Sequence, residues 1–239
     1  MNAKEDLYKF IGGMRKQYAS LCYLRDIKSC CASNNIQLVT RKFDTSGFCG
    51  AACVGKKHDT IILNERRNDK ERMFDFVHEL IHTRKHRNNE HQEFACFDKS
   101  QDSFIEWEAN EGAAEFLVSY KIFIPQFCEL YDMYTSKPVE WDLEYGSMSL
   151  VQALADSFSA TEMIIKNRIR NLSYEIDQYR NGVKTDSILL LSAKQQEQRG
   201  IEPTNYYDKV ERIQIRHSFL NSPLASRIMC SDASIQQTY

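Results

Sequence analysis

The sequence holds no apolar run approaching the roughly 20 residues needed to cross a bilayer, so no membrane-spanning helix is expected within its 239 residues. Neither sign of charge dominates: 31 Lys and Arg against 33 Asp and Glu leave a formal net charge of −2, which recommends neither nucleic acid nor a membrane surface as partner. Residues 1–15 are polar and lack the apolar region of a signal peptide. The eight cysteines are therefore expected to be reduced thiols in a cytoplasmic protein. No second cysteine pair follows Cys49-x-x-x-Cys53 at finger-like spacing, so that pair with His58 makes a poor metal site. Internal repeats and low-complexity tracts are absent too. What remains is a composition 42% apolar and 27% charged, that of a soluble globular protein. The length suffices for one large domain or two small ones with a real core.

Hydrophobic spacing predicts a mostly helical α+β chain. Leu7, Phe10, Ile11, Met14, Leu21 and Leu24 recur at helical intervals and predict a helix over residues 6–31. Residues 36–39 and 60–63 read as strands of a small sheet, the second ended by Asn64. Gly47, Gly50 and Gly55 punctuate a turn-rich segment between them. A helix is expected over 71–86, a polar loop over 88–101 and another helix over 103–123. Lys137-Pro138 marks a boundary. Two helices should fill 147–179, with a break at 157–159 and the second opened by Ser159-Ala160-Thr161-Glu162 as a capping box. Beyond Arg180 the pattern weakens, and the last dozen residues should fray.

The helix over 71–86 carries His78-Glu79-Leu80-Ile81-His82, an H-E-x-x-H pattern. Imidazoles four residues apart share a helix face and are spaced to bind one zinc ion. The carboxylate of Glu79 beside them is placed to act as general base toward a metal-bound water. Met73, Phe74, Phe76, Val77, Leu80 and Ile81 form one broad face, and Glu71, Asp75, His78, Glu79 and His82 the other. The histidines are thus expected off the packing stripe, bordering a cleft. The plainer alternative is two surface histidines on an amphipathic helix.

A catalytic zinc of this type needs a third protein ligand and an open position. His86 lies one turn beyond His82, but His78 to His86 spans about 12 Å of helix axis at 1.5 Å per residue. With zinc–nitrogen bonds of about 2.0–2.1 Å the three cannot meet one ion, and His86 reads as a surface side chain. A metzincin would need His at position 88, where this chain has Asn88. His91 in the polar loop is a weak candidate. Residues 105–117 hold Glu106, Glu108, Glu111 and Glu115. On a helical wheel Glu108, Glu111 and Glu115 cluster with Gly112 and Ser119 on what reads as the solvated face. Glu106 points the other way, into the stripe of Asn110, Ala113 and Leu117 flanked by Ala109 and Ala114. A buried carboxylate is expensive unless paired or metal-bound, so Glu106 is the preferred third ligand and Glu108 the reserve, with a Glu–Arg core pair as the bland alternative. Asn110, one turn after Glu106, is placed to hydrogen-bond the outer nitrogen of a ligand histidine. Zinc is the expected metal, with manganese not separated from it. An oxyanion would need a cationic or phenolic donor, for which Tyr120 is named without support from its surroundings. The strand around Ile61 is offered as an edge for an extended substrate.

Together these segments resemble the ImmA/IrrE family of metallo-endopeptidases, over about residues 20–175. The resemblance rests on Ile61-Ile62-Leu63-Asn64, on the run from Arg72 to His82, on Glu106-x-x-Ala109-Asn110-x-x-Ala113-Ala114-x-x-Leu117, and on Leu154-Ala155-x-x-Phe158-Ser159. This chain has Ile81 where the family usually has Gly before the second His, Gly112 where it usually has Phe before the paired alanines, and Ser119 where it usually has Pro. The resemblance implies a zincin-like domain, placed at 1–135, a helix-turn-helix-like helical bundle at 136–180, and an extension at 181–239 too short for a complete sensor domain of GAF type. It also implies a bacterial or phage-borne, cytoplasmic enzyme that cuts a helix-turn-helix repressor of mobile-element or stress genes.

Two other classes compete. One is an antirepressor that binds its repressor without cutting it. The other is a DNA-binding regulator with a structural metal, using Lys166, Arg168 and Arg170 within residues 150–175, although a solvated basic face is the commoner explanation of such charges.

Overall fold

A computed structural model describes residues 2–45, 47–88, 92–97, 103–136 and 148–220. The expected boundary at Lys137-Pro138, the candidate ligand His91 and the frayed last dozen residues lie outside these. The chain divides into two units, one of residues 1–119, 159–161 and 190–195, the other of residues 120–158, 162–189 and 196–239.

The first unit is built on a four-stranded mixed sheet. Its strands are β1 (Ile36–Arg41), β2 (Phe48–Cys53), β3 (Asp59–Asn64) and β4 (Glu93–Phe97), in the order β1-β3-β2-β4. β3 runs parallel to β1 and antiparallel to β2, and β4 is antiparallel to β2. With β3 flanked on both sides, the strand around Ile61 has no free edge, which corrects the substrate-edge expectation. Gly50 pairs with Leu63 and Ala52 with Ile61, so these four share one face of the pleat; all are buried.

Four helices accompany the sheet: α1 (Ala3–Gln17), α2 (Ile27–Ser33), α3 (Asp69–Lys85) and α4 (Phe104–Leu117). α3 packs against β2 and β3 on one side and α4 on the other, and α1 in turn covers α4. A reciprocal capping box starts α3: the Asn68 side chain accepts from the Glu71 N–H, and Glu71 accepts from the Asn68 N–H, both at 3.0 Å. Phe76, Val77, Leu80 and Ile81 are fully buried. The helix is buried all round from Asp75 to Thr83 and so is a central element rather than a surface amphipath.

Four expectations fail here. Residues 6–31 are not one helix. The backbone N–H groups of Cys22 and Tyr23 both donate to the Asp26 carboxylate, at 3.1 and 2.7 Å, and this side-chain competition ends the α1–α2 run. The glycine-punctuated segment contains β2, and the expected polar loop contains β4, anchored by the buried Phe94. The helix over 103–123 breaks where Val118 leaves the helical region (φ −126°, ψ 70°).

The second unit is helical: α5 (Tyr120–Ser136), α6 (Leu150–Ser157), α7 (Glu162–Asn171), α8 (Ser173–Arg180) and α10 (Tyr206–Leu220), with the short α9 (Ala193–Gln198) bridging the division between the units. Phe123, Phe127, Leu150, Leu154, Ile165, Ile169 and Ile176 are its fully buried apolar centre. Three helices, not two, fill the 147–179 stretch, because Leu172 (φ −107°, ψ 13°) separates α7 from α8. Ser159 has φ +50° and α7 begins only at Glu162, so Ser159 does not cap it. Arg168 is fully buried, which removes it from the expected basic face. Arg170 lies over the Tyr207 ring at 4.1 Å.

The seven described cysteines are free thiols. Burial pushes the Cys31 thiol up to about 12 and that of Cys128 up to about 11, whereas Cys22 is exposed. Because the thiolate is the nucleophile, iodoacetamide at neutral pH should alkylate Cys22 before the buried cysteines and leave Cys30, Cys31, Cys49 and Cys128 unmodified until the chain is denatured. Peptide mass spectrometry before and after denaturation checks this. Equal labelling of Cys22 and Cys31 in the folded chain would contradict the packing of α2.

Candidate active site

His78 and His82 stand one turn apart on α3, and their Nε2 atoms approach to 3.0 Å. α4 brings in Glu106. Ser103 caps this helix by accepting from the Glu106 N–H at 3.2 Å, which fixes Glu106 at the third helical position. Its carboxylate does not reach back to the cap. Oε2 lies 3.3 Å from His78 Nε2 and Oε1 lies 3.4 Å from His82 Nε2. Glu79 sits between the histidines in sequence, and His78, Glu79 and His82 can place one ligand atom each within 4.8 Å of one another. The cysteine site is not formed: Cys49 and Cys53 are four residues apart along β2, about 13 Å at 3.3 Å per residue, and Cys49 hydrogen-bonds Cys96.

The donor set fits a cation. Asn110 Oδ1 lies 3.1 Å from His78 Nδ1, so that nitrogen carries the proton and Nε2 presents a lone pair. Burial, then His78 and His86, push His82 down to about 2, so it is neutral. Two imidazole lone pairs and a carboxylate converging within 3.4 Å repel one another unless a positive charge lies among them. Both Glu79 oxygens are buried with no hydrogen-bond partner. In the protein alone the Glu79 proton affinity is raised, first by burial and then by Glu106, Asp75 and Cys49. A bound cation acts in the opposite direction.

β2 shapes the space around Glu79. A Cβ on Gly50 would stand 2.9 Å from the Ile62 carbonyl oxygen and 3.2 Å from Glu79 Oε1. Gly50 therefore lets the sheet touch the carboxylate. Gly50→Ala is expected to destabilise the chain by about 1–3 kcal/mol through overpacking and to displace Glu79. A lowered melting temperature checks the first, and unchanged stability would show that the strand yields freely. Asp75, one turn before Glu79, pairs with Arg67 at 2.6 Å, yet burial still pushes its carboxyl up to about 6.

The sequence placed several neighbours wrongly. His78, Glu79 and His82 are fully buried, beneath α4 and the sheet rather than lining an open face. Glu106 keeps 17% of its side-chain exposure and is the member of the group that reaches solvent. Glu108, Glu111 and Glu115, read as solvated, are 8%, 6% and 4% exposed. α4 is enclosed by α1 and α3, and each of these carboxylates meets a polar partner: Lys85 and His86 for Glu108, Tyr8 for Glu111, Ser119 for Glu115. The reserve ligand Glu108 thus faces away from the Nε2 atoms. His86, read as a surface residue, is 3% exposed and touches His82 from the outer side. Its signal was visible as the third member of an i, i+4 series. Phe94 of β4 stacks on His82 at 4.4 Å and 17°. Tyr120 opens α5 in the other unit and is buried.

Gly112 lies at the α1–α3–α4 contact. A Cβ there would meet Ile81 Cδ1 at 2.9 Å, Ile11 Cδ1 at 3.1 Å and Leu7 Cδ1 at 3.5 Å. The side chain of Ile81 fills the room that Gly112 leaves.

A His-Glu-x-x-His helix laid on a small mixed sheet, with a carboxylate delivered by the following helix, is the architecture of a zincin-like metallopeptidase domain. Residues 34–170 match the peptidase M78 family model, described as the IrrE N-terminal-like domain. That is more than half of the chain, and the chain belongs to this family. No curated protein matches it.

Proposed function

We propose that the chain is a zinc-dependent endopeptidase that makes a site-specific cut in a helix-turn-helix transcriptional repressor. The observation that carries the reading is the convergence of His78 Nε2, His82 Nε2 and the Glu106 carboxylate within 3.4 Å, with Glu79 alongside. His78, His82 and Glu106 hold the metal, zinc in preference to manganese. The metal, when bound, supplies Lewis acidity that activates a water and polarises the scissile carbonyl. Glu79 takes the proton of the attacking water and hands it to the leaving amine. Asn110 keeps His78 in the tautomer that binds. Among the described residues β4 is the edge strand beside His82, and its backbone suits an extended substrate segment better than β3 does.

The repressor is the substrate class that the family resemblance implies, and the near-neutral charge of the chain fits a protein partner better than DNA. Residues 136–180 are read as the helix-turn-helix-like bundle that holds this partner, residues 1–135 as the peptidase domain, and 181–239 as an extension. The setting is a bacterial or phage-infected cytoplasm. No helix among the described residues is long and apolar enough to cross a membrane.

The test incubates the zinc-loaded full chain with the helix-turn-helix protein encoded nearest its gene, with and without a chelator. One new pair of fragments, lost with the chelator and restored by added zinc, is the expected result. Binding without cleavage would replace this reading by the antirepressor, and a DNA shift alone by the DNA-binding regulator.

A further inference from the structure

The outer side of His82 is held by residues that the H-E-x-x-H pattern does not contain. His82 Nδ1 lies 3.0 Å from His86 Nδ1, and His86 Nε2 lies 3.1 Å from Glu108 Oε2. The other Glu108 oxygen takes the ammonium of Lys85 at 3.1 Å. All three links are made by α3 and α4, and His82, His86 and Glu108 are each less than a tenth exposed.

The order of partners determines where the protons sit. An ionised carboxylate only accepts, so His86 Nε2 donates to Glu108. A neutral His86 then has a lone pair on Nδ1, and the 3.0 Å contact is a hydrogen bond only when His82 Nδ1 donates to it. His82 Nε2 is left with its lone pair, directed at His78 Nε2 and Glu106. The reverse order would put the proton of His82 on Nε2 and abolish it as a ligand. Phe94 stacked on the ring blocks the tilt that would break the chain.

We propose that His86 and Glu108 are positioning residues that lock His82 as its Nδ1–H tautomer and so set the metal affinity of the site. This rests on the proposed metal-binding role of His82. It gives each ligand histidine its own outer partner, Asn110 for His78 and the His86–Glu108 pair for His82. Outer partners of this kind are worth about 10–100-fold in metal affinity.

Zinc affinity of the full chain, measured by competition with a chromophoric chelator, tests it with two variants. Leu at position 86 fills similar space but cannot accept from His82. Gln offers a carbonyl oxygen that can accept from His82 and an NH2 that can donate to Glu108, replacing both roles of the neutral imidazole. His86→Leu should weaken zinc binding about 10–100-fold, and His86→Gln should restore most of it. Wild-type affinity in His86→Leu overturns the inference, as does His86→Gln binding as weakly as His86→Leu, because packing would then account for the loss. Nitrogen-15 NMR of the wild-type chain needs no variant to fold. In the zinc-loaded protein it should show the proton of His82 on Nδ1 and that of His86 on Nε2, and the opposite tautomer at His82 overturns the inference. A wild-type chain that binds no zinc at all would instead sink the peptidase reading itself.

Discussion

Glu79→Gln is expected to keep its metal and to cut about 10²–10⁴-fold more slowly, the usual contribution of a general acid–base group. Gln has nearly the shape of Glu, so it fits the same space against Gly50, whose Cα-side room ends 3.2 Å from Glu79 Oε1. It lies outside the proposed donor set of His78, His82 and Glu106. What it cannot do is accept the proton of the attacking water and return it to the amine. The buried, otherwise unpartnered oxygens of Glu79 are costly to maintain for structure alone, so the variant should fold at least as stably as the wild type. Metal content by elemental analysis and cleavage by timed mass spectrometry give the two readouts. Undiminished cleavage with full metal would remove Glu79 from the chemistry.

Glu106→Ala is expected to weaken metal binding by more than about 100-fold, beyond what outer partners supply. Glu106 faces both Nε2 atoms, at 3.3 and 3.4 Å. Without it, two imidazoles remain and the proposed donor set loses its carboxylate. The side chain is partly exposed, so its truncation should open no core cavity. The melting temperature of the metal-free chain should therefore change little. The rise in melting temperature on adding zinc, which follows ligand concentration over the dissociation constant, should largely vanish. A variant that still gains the full zinc-dependent rise would show that the third ligand lies elsewhere.

The sequence made the histidine pair and its helix easy to see, because their i, i+4 spacing is local and the capping signal Asn68-x-x-Glu71 is carried in the chain itself. Glu106 was singled out by an argument that the structure does not support. The wheel assumed that α4 has one wet face, so three glutamates were sent to solvent and one inward. α4 is instead enclosed, and Tyr8 of α1 and Lys85 and His86 at the end of α3 arrive to meet Glu111 and Glu108, while only Ser119 is a local partner, one turn beyond Glu115. Apart from that local pair, partners of this kind are set by tertiary packing and leave no trace in periodicity. β4 was lost for a similar reason. Five residues with a single buried anchor, Phe94, become a strand only because β2 has an edge to offer them. Gly50 was read as a turn residue, although its lack of a side chain serves an approach to Glu79 within a strand.

The contact between Ile81 and Gly112 ties the sizes of two side chains together across the α3–α4 interface. The family resemblance implies a small residue at the first position and a large one at the second, the reverse of the sizes in this chain. Either substitution made alone would leave the interface overfilled, with Ile facing Phe, or hollow, with Gly facing Gly. The two side chains therefore share one volume, so that adding bulk at position 112 is tolerated only where bulk is removed at position 81.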